Sequence, residues 1–127
     1  MFKRFPNAMS IECNMVDLSN IFPFISSFTN LHRITVSNDS ALKIENSFDI
    51  HTVIIQYCEV ISIHGLGKNR LVELVCCRGD VVDVSSLATV PLVTILKCQF
   101  KKVNYESLRN VPRLKIVDCK SNNESID

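Results

Sequence analysis

The chain has 127 residues, of which 46% are hydrophobic and 21% charged, and its formal net charge is +1. This length and composition favour a single folded domain over a disordered chain, and no apolar run approaches the roughly 20 residues of a membrane helix. Met1–Asn7 leads into no signal-peptide core. The expected location is therefore the cytoplasm, with the nucleus as the alternative, where the six cysteines would stay reduced.

In chain order, the first apolar pattern is Cys13–Leu18, spaced Cys-x-x-Val-x-Leu. It lies within residues 1–30, which we predict to be a degenerate first unit or a cap. The same spacing returns in Leu31–Val36 and in Ile50–Ile55. Apolar residues that alternate over so short a run predict one β-strand in each segment.

The C-terminal half contains the clearest repeat. A shift of 21 residues superimposes Val72–Pro91 on Val93–Pro112 and moves Cys77 onto Cys98, and a second shift moves Cys98 onto Cys119. A fixed period of this size is typical of solenoids. With the looser N-terminal matches included, we expect five or six units of about 19–22 residues.

These spacings resemble the leucine-rich repeat (LRR), whose motif is L-x-x-L-x-L-x-x-N/C, although Ile and Val often replace Leu and no Asn recurs. The resemblance covers about residues 8–120. It implies an α/β solenoid, a right-handed coil with a parallel β-sheet on the concave face and short helical or 3₁₀ returns on the convex face. Residues 1–120 would form one domain and residues 121–127 a polar C-terminal tail. The three-residue apolar spacing in Val84–Val90 and Tyr105–Val111 favours such returns.

Charged residues influence which strand side chains we expect to face the core. Burying Lys97 and Asp118 would be costly, so the opposite parity is predicted for the fourth to sixth units. The inward residues would then be Val72, Val75, Cys77, Val93, Leu96, Cys98, Leu114, Val117 and Cys119. In the third unit Ile50, Val53 and Ile55 would point inward. A one-residue slip of register at Gly65–Gly67 would reconcile the two arrangements.

The central row of the concave face would then be Thr35, Ile54, Leu74, Ile95 and Ile116, and with the opposite parity it would be Thr35, Ile54, Val75, Leu96 and Val117. Either register leaves an apolar ladder with a polar rim there, which is the composition of a protein-binding patch. The residues predicted to contact a partner there are Arg33, Thr35, Thr52, Ile54, Gln56, Glu73, Leu74, Cys76, Ile95, Lys97, Ile116 and Asp118.

Residues that could support chemistry are scattered. His32, His51 and His64 lie in different units without a matched nucleophile, and the cysteines lack the paired spacing of a zinc site. The cysteine row of the repeat suits a core position better than a metal site. We therefore predict no enzymatic activity, no cofactor or metal, and no small-molecule substrate.

The predicted function is a non-catalytic interaction scaffold or subunit of a larger assembly, which binds a protein partner across the concave LRR face and does not involve a membrane. The alternative is a ribosome- or ribonucleoprotein-associated factor, because residues 64–120 carry ten Lys/Arg against five Asp/Glu. The residues that would contact RNA phosphates are Lys68, Arg70, Arg78, Lys101, Lys102, Arg109 and Lys120.

Overall fold

A computed structural model describes residues 10–14, 31–45 and 49–120. Short runs of β-branched and apolar residues form one five-residue strand at the start of each coil, and these strands stack in parallel into a six-stranded sheet. In order across the sheet, the strands are β1 (Ser10–Asn14), β2 (Arg33–Ser37), β4 (Thr52–Gln56), β6 (Leu71–Val75), β8 (Leu92–Leu96) and β10 (Arg113–Val117). The predicted solenoid with a parallel sheet is confirmed, with about four turns.

The register of the sheet is uninterrupted from β2 to β10. Arg33 pairs with Thr52 and Thr52 with Leu71, and the series continues from Leu71 to Leu92 and from Leu92 to Arg113. The slip predicted in the loop that carries two glycines is therefore wrong. The later two coils are slightly longer than the earlier two, and their extra residues are accommodated outside the sheet, so every strand presents the same parity.

In the described residues, the return side of each coil from β2 to β10 contains one short strand. These strands are β3 (Leu42–Lys43), β5 (Val60–Ser62), β7 (Arg78–Val82) and β9 (Gln99–Val103), paired β3 with β5 and β7 with β9. Two short 3₁₀ helices, Ser85–Thr89 and Tyr105–Leu108, occupy the segments where returns were predicted. The described part of the chain contains no α-helix, so the α/β class is not confirmed and the fold is a parallel β-solenoid. None of the described segments forms a helix of the length and apolarity needed to cross a membrane.

One frame of buried positions recurs in successive coils. In the third unit these positions are Ile50, Val53, Ile55 and Cys58, and all four side chains are buried. The prediction that Ile50, Val53 and Ile55 point inward is confirmed. The same frame, moved along by one coil and then by another, selects the core of the next two coils: Asn69, Val72, Leu74 and Cys77, then Val90, Val93, Ile95 and Cys98. Asn69 is the polar exception, and its amide donates to the Ile50 carbonyl while its Oδ1 accepts from the Gly67 N–H.

Each strand of the large sheet from β2 onward is followed by one non-glycine residue in the left-handed region. These residues have φ between 53° and 60° and are Asn38, Tyr57, Cys76, Lys97 and Asp118. This conformation turns the chain out of the sheet, so that the next residue points inward again. The buried side chains are therefore spaced two apart within a strand and three apart across the turn, as in Ile95 and Cys98.

Two predicted segments lie mostly or wholly outside the described residues. The predicted N-terminal cap at residues 1–30 lies outside them except for β1, and the predicted polar tail at residues 121–127 lies wholly outside them.

Candidate binding surface

The six parallel strands present one face to the core and the other to solvent, and we call the second the outer sheet face. It has three rows of side chains that follow the register. The first row is Ser10, Arg33, Thr52, Leu71, Leu92 and Arg113; the middle row is Glu12, Thr35, Ile54, Glu73, Thr94 and Lys115; the last row is Asn14, Ser37, Gln56, Val75, Leu96 and Val117.

The outer sheet face is polar at β1 and β2. Gln56 Nε2 donates to Ser37 Oγ at 3.0 Å, and Asn38 Nδ2 donates to Asn14 Oδ1 at 2.9 Å. These bonds join side chains of neighbouring coils along the last row and the turn beside it. Because the side chains already satisfy one another, they offer less to a partner than groups without such bonds would.

The outer sheet face becomes apolar from β4 to β10. Six apolar side chains lie there, of which the first five are partly exposed and the last is exposed: Ile54, Leu71, Val75, Leu92, Leu96 and Val117. Leu71 and Leu92 are neighbours in the first row, and Val75, Leu96 and Val117 are neighbours in the last. Between these rows lie Glu73, Thr94 and Lys115. We call this set of strands the apolar half of the outer sheet face.

Six of the twelve predicted partner-binding residues lie on the outer sheet face: Arg33, Thr35, Thr52, Ile54, Gln56 and Glu73. Cys76, Lys97 and Asp118 lie at the left-handed turn that follows their strands. Leu74 and Ile95 are fully buried, and Ile116 continues their inward row at the last strand. The prediction that these three face solvent is therefore wrong.

The apolar residues that do face solvent include three that were assigned to the core. Val75, Leu96 and Val117 lie on the outer sheet face, and Val117 is 38% exposed. The error came from Lys97 and Asp118, which were assumed to share the parity of the strand although each stands in the left-handed turn. The third unit carried the missing signal, because the frame of Ile50, Val53, Ile55 and Cys58 applies unchanged to the later coils.

The basic residues predicted to contact phosphates are dispersed over the return side and the loops. Arg78, Lys101 and Lys120 line one shallow groove of about 340 Å³ over β7 and β9. Acidic side chains share it: Arg78 Nε lies 3.4 Å from Glu59 Oε1, and Lys101 Nζ lies 3.4 Å from Asp80 Oδ1. Lys102 lines a different groove with Asp83, and Lys68 a third with Glu45. Five of the seven predicted residues thus lie in three separate grooves, each of which also contains an acidic residue, and phosphate binding stays a prediction.

Four of the six cysteines, Cys58, Cys77, Cys98 and Cys119, form a row at the turns that follow β4, β6, β8 and β10. The thiols of Cys77, Cys98 and Cys119 each donate to a carbonyl oxygen of the preceding coil at 3.4 Å, and Cys58 does so at 3.7 Å. Burial raises the pKa of the Cys58 thiol, and likewise that of Cys13, to about 11. The hydrogen bond with Cys77, together with burial, raises the pKa of the Cys98 thiol.

The raised pKa values of Cys13, Cys58 and Cys98 mean that these three thiols stay protonated near neutral pH and are poor nucleophiles. All six cysteines are free. Within residues 10–14, 31–45 and 49–120, no group of three or more His, Cys, Asp or Glu side chains is placed to hold a metal ion.

Two of the three histidines are brought together by the register of the coils. His32 and His51 immediately precede β2 and β4, and their rings stack with centroids 4.0 Å apart and 21° between the planes. His51 Nδ1 lies 2.8 Å from Thr52 Oγ1. Partial desolvation, and then the charges of His32 and Arg70, lower the pKa of His51. The sequence had placed these two histidines in separate units and had not predicted their contact.

No protein-family model matches the chain, and no curated protein or solved structure matches it either.

Proposed function

We propose that this protein is a non-catalytic interaction module that binds a partner protein on the apolar half of its outer sheet face. The observation that carries the proposal is the continuity of the partly exposed apolar side chains across neighbouring strands. An apolar patch of this kind, bordered by polar residues, is typical of protein-binding surfaces. The regular sheet beneath holds the side chains in fixed positions, so that little conformational entropy is lost on binding.

The arrangement also constrains the partner. Leu71 and Leu92 form one apolar strip, and Val75, Leu96 and Val117 form another. Glu73 and Lys115, two strands apart, carry opposite charges in the row between the strips. A partner with two apolar ridges and complementary charges between them would match this surface, because charges across an interface fix register more than they add affinity.

The proposal also keeps the LRR assignment, which is supported by coils of about 20 residues and by a Cys at the same turn of four coils. The outer sheet face would then correspond to the concave face of that family. Membership of a larger assembly belongs to the same proposal. Six free thiols suit a reducing compartment, and we propose the cytoplasm or the nucleus.

The test compares proteins recovered by the tagged wild-type chain with those recovered by two variants, Leu92→Asp and Leu96→Asp. Each variant puts a charge on the apolar half without entering the core. The matched control is Val81→Asp, which changes a 70% exposed valine of β7 on the return side. We expect the same specific partner with wild type and the control, and its loss with both outer-face variants.

Thermal unfolding of all four proteins separates lost binding from lost folding. We expect each Asp variant to remain folded, at a cost of about 1 kcal/mol for Val81→Asp and about 2–3 kcal/mol for the two leucine variants, which also lose buried apolar surface. Recovery of the same partner by Leu92→Asp and Leu96→Asp, both folded, would contradict the proposal. Ile95→Asp is not a useful variant, because Ile95 is fully buried and a charge there would unfold the chain.

A further inference from the structure

The two ends of the large sheet differ in how well their core residues are covered. In β1, Ile11 is 7% exposed and Cys13 is 1% exposed, so this end is closed. In β10, Leu114 and Ile116 occupy the same two inward rows but are only partly buried. Within the described residues, β10 pairs with β8 and no strand lies on its other side. Over the part of the chain that the structure describes, the sheet therefore has one end whose core side chains are covered and one open end.

The backbone of β10 is oriented to continue the sheet. In the preceding coils the residue in the left-handed turn donates its N–H forward to the next coil: Tyr57 to the Val75 oxygen, Cys76 to Leu96 and Lys97 to Val117. The first residue of a strand donates backward, as Thr52 does to the His32 oxygen, and Arg113 likewise donates to the Pro91 oxygen. Because backbone groups alternate along a strand, those of Leu114 and Ile116 point away from β8. They form a row of donors and acceptors along the open edge.

The side chains of β10 define what could pair with that edge. Arg113 and Lys115 face outward and are exposed, whereas Leu114 and Ile116 face inward and are only partly covered. In a sheet, residues opposite each other on one face interact directly, and opposite charges stabilise the pair. A strand added here would therefore carry acidic residues beside Arg113 and Lys115, and apolar residues beside Leu114 and Ile116.

We propose that the open edge of β10 binds an extended segment of a partner protein in which acidic and apolar residues alternate, as an added parallel strand. This goes beyond the binding proposed for the apolar half of the outer sheet face, because it uses backbone groups and the strand edge. A second copy of this chain fits less well: its β1 carries Glu12 between two inward residues, but Ile11 and Cys13 are already buried in their own coil.

The proposal competes with a simpler role for the two cations. Charged side chains on an edge strand can serve only to prevent unwanted pairing. The two roles predict opposite results for an acidic alternating peptide, since a protective edge rejects it and a docking edge binds it.

The test uses the full chain and a capped peptide with the core Glu-Ile-Glu-Val-Thr. Two control peptides are needed: Lys-Ile-Lys-Val-Thr, which reverses the charges, and the first peptide N-methylated at both Glu residues and at Thr, whose outward-row N–H groups can then no longer donate to β10. Binding is measured by calorimetry, and hydrogen exchange of each backbone amide is followed by NMR. We expect only the unmodified acidic peptide to bind.

Hydrogen exchange gives the residue-level signature. In the free protein the amides of Leu114 and Ile116 should exchange quickly, and saturating peptide should slow them by about tenfold or more. The amide of Arg113 should be protected in both states, because it already donates to Pro91. Lys115→Glu should weaken peptide binding about fivefold or more, whereas Lys102→Glu, on exposed β9, should leave it unchanged.

Four results would overturn the proposal. The first is the absence of binding at about 1 mM peptide, because a weaker complex would not be specific, and the second is equal binding of the N-methylated peptide. The third is slow exchange of the Leu114 and Ile116 amides in the free protein, which would mean that the chain covers its own edge. The fourth is slower exchange of these amides at higher protein concentration, which would mean that a second copy covers the edge. None of these bears on Leu92 and Leu96, so the two binding proposals can fail separately.

Discussion

The Cys98 thiol lies 3.4 Å from the carbonyl oxygen of Leu74, which belongs to the preceding coil. Cys119 makes the same contact with Ile95, also at 3.4 Å, one coil further along. The row of cysteines thus joins successive coils at the point where the chain leaves the sheet. The two sites differ in burial, because Cys98 is fully buried and Cys119 is partly exposed at the open end.

Replacing Cys98 with serine should test what the buried thiol contributes. Serine preserves the approximate shape and can still donate to Leu74, but a hydroxyl is more costly than a thiol to remove from water. We expect Cys98→Ser to lower the free energy of unfolding by about 1–2 kcal/mol. Urea denaturation under reducing conditions measures this change.

Cys119→Ser is the matched control for Cys98→Ser. It has the same donor geometry, but the side chain keeps some contact with water, so we expect a loss below about 0.5 kcal/mol. Equal losses at the two positions would show that burial does not determine the cost and would contradict the interpretation.

The sequence predicted where the strands of the large sheet lie better than it predicted which of their side chains face the core. Each coil repeats its apolar spacing, so the strands and the stacking could be derived from Val72–Pro91 and Val93–Pro112 alone. Which side chains of the later strands face the core could not be derived in this way, because an alternating pattern assumes an unbroken extended chain. The left-handed Lys97 breaks the alternation, and nothing about lysine favours that conformation.

The return strands were missed for a different reason. The sequence of β7 is Arg-Gly-Asp-Val-Val, which reads as a turn followed by two apolar residues. It becomes a strand because β9 pairs with it in the next coil, and pairing between residues a whole coil apart, as for Arg78 and Gln99, is tertiary. The histidine contact was missed likewise, since His32 and His51 meet only after the register is fixed.

Gly79 in β7 should not tolerate a side chain. A Cβ there would lie 2.6 Å from the Val60 carbonyl oxygen and 2.8 Å from Val82 Cγ2, and the backbone oxygen cannot move without disturbing β5. We expect Gly79→Ala to lower the free energy of unfolding by about 1–3 kcal/mol. Val81→Ala, an exposed position in the same strand, should change it by less than about 0.5 kcal/mol. Equal urea midpoints for Gly79→Ala and wild type would contradict this prediction, because they would mean that β5 and β7 can move apart at little cost.

Replacing Lys97 with glycine should raise the free energy of unfolding. Its φ of 55° is unfavourable for a residue with a Cβ, and its backbone N–H, which donates to Val117, is kept in the variant. Glycine relieves this strain but also gains freedom in the unfolded chain, so we expect a net stabilisation of about 0.5–1 kcal/mol. The control, Lys102→Gly in extended β9, should be destabilising by about 0.5–1 kcal/mol. If both variants lost stability, the left-handed turn would not be the source of strain.

The stacked histidines should make the stability of the fold depend on pH. Partial desolvation, with the neighbouring charges of His32 and Arg70, lowers the pKa of His51 below its ordinary 6.5, so the folded chain resists a proton that the unfolded chain accepts. This contribution is fully present above about pH 6.5 and is lost as the pH falls below that value.

The measurement is the urea midpoint of wild type and His51→Asn between about pH 7.5 and pH 5. This range stays above the titration of Asp83, whose pKa is lowered from 3.8 by hydrogen bonds from Ser85 and Asn104. We expect a shallower decline for His51→Asn than for wild type, because asparagine does not titrate. A slope equal to wild type in His51→Asn would mean that the stacked pair has no part in the acid sensitivity.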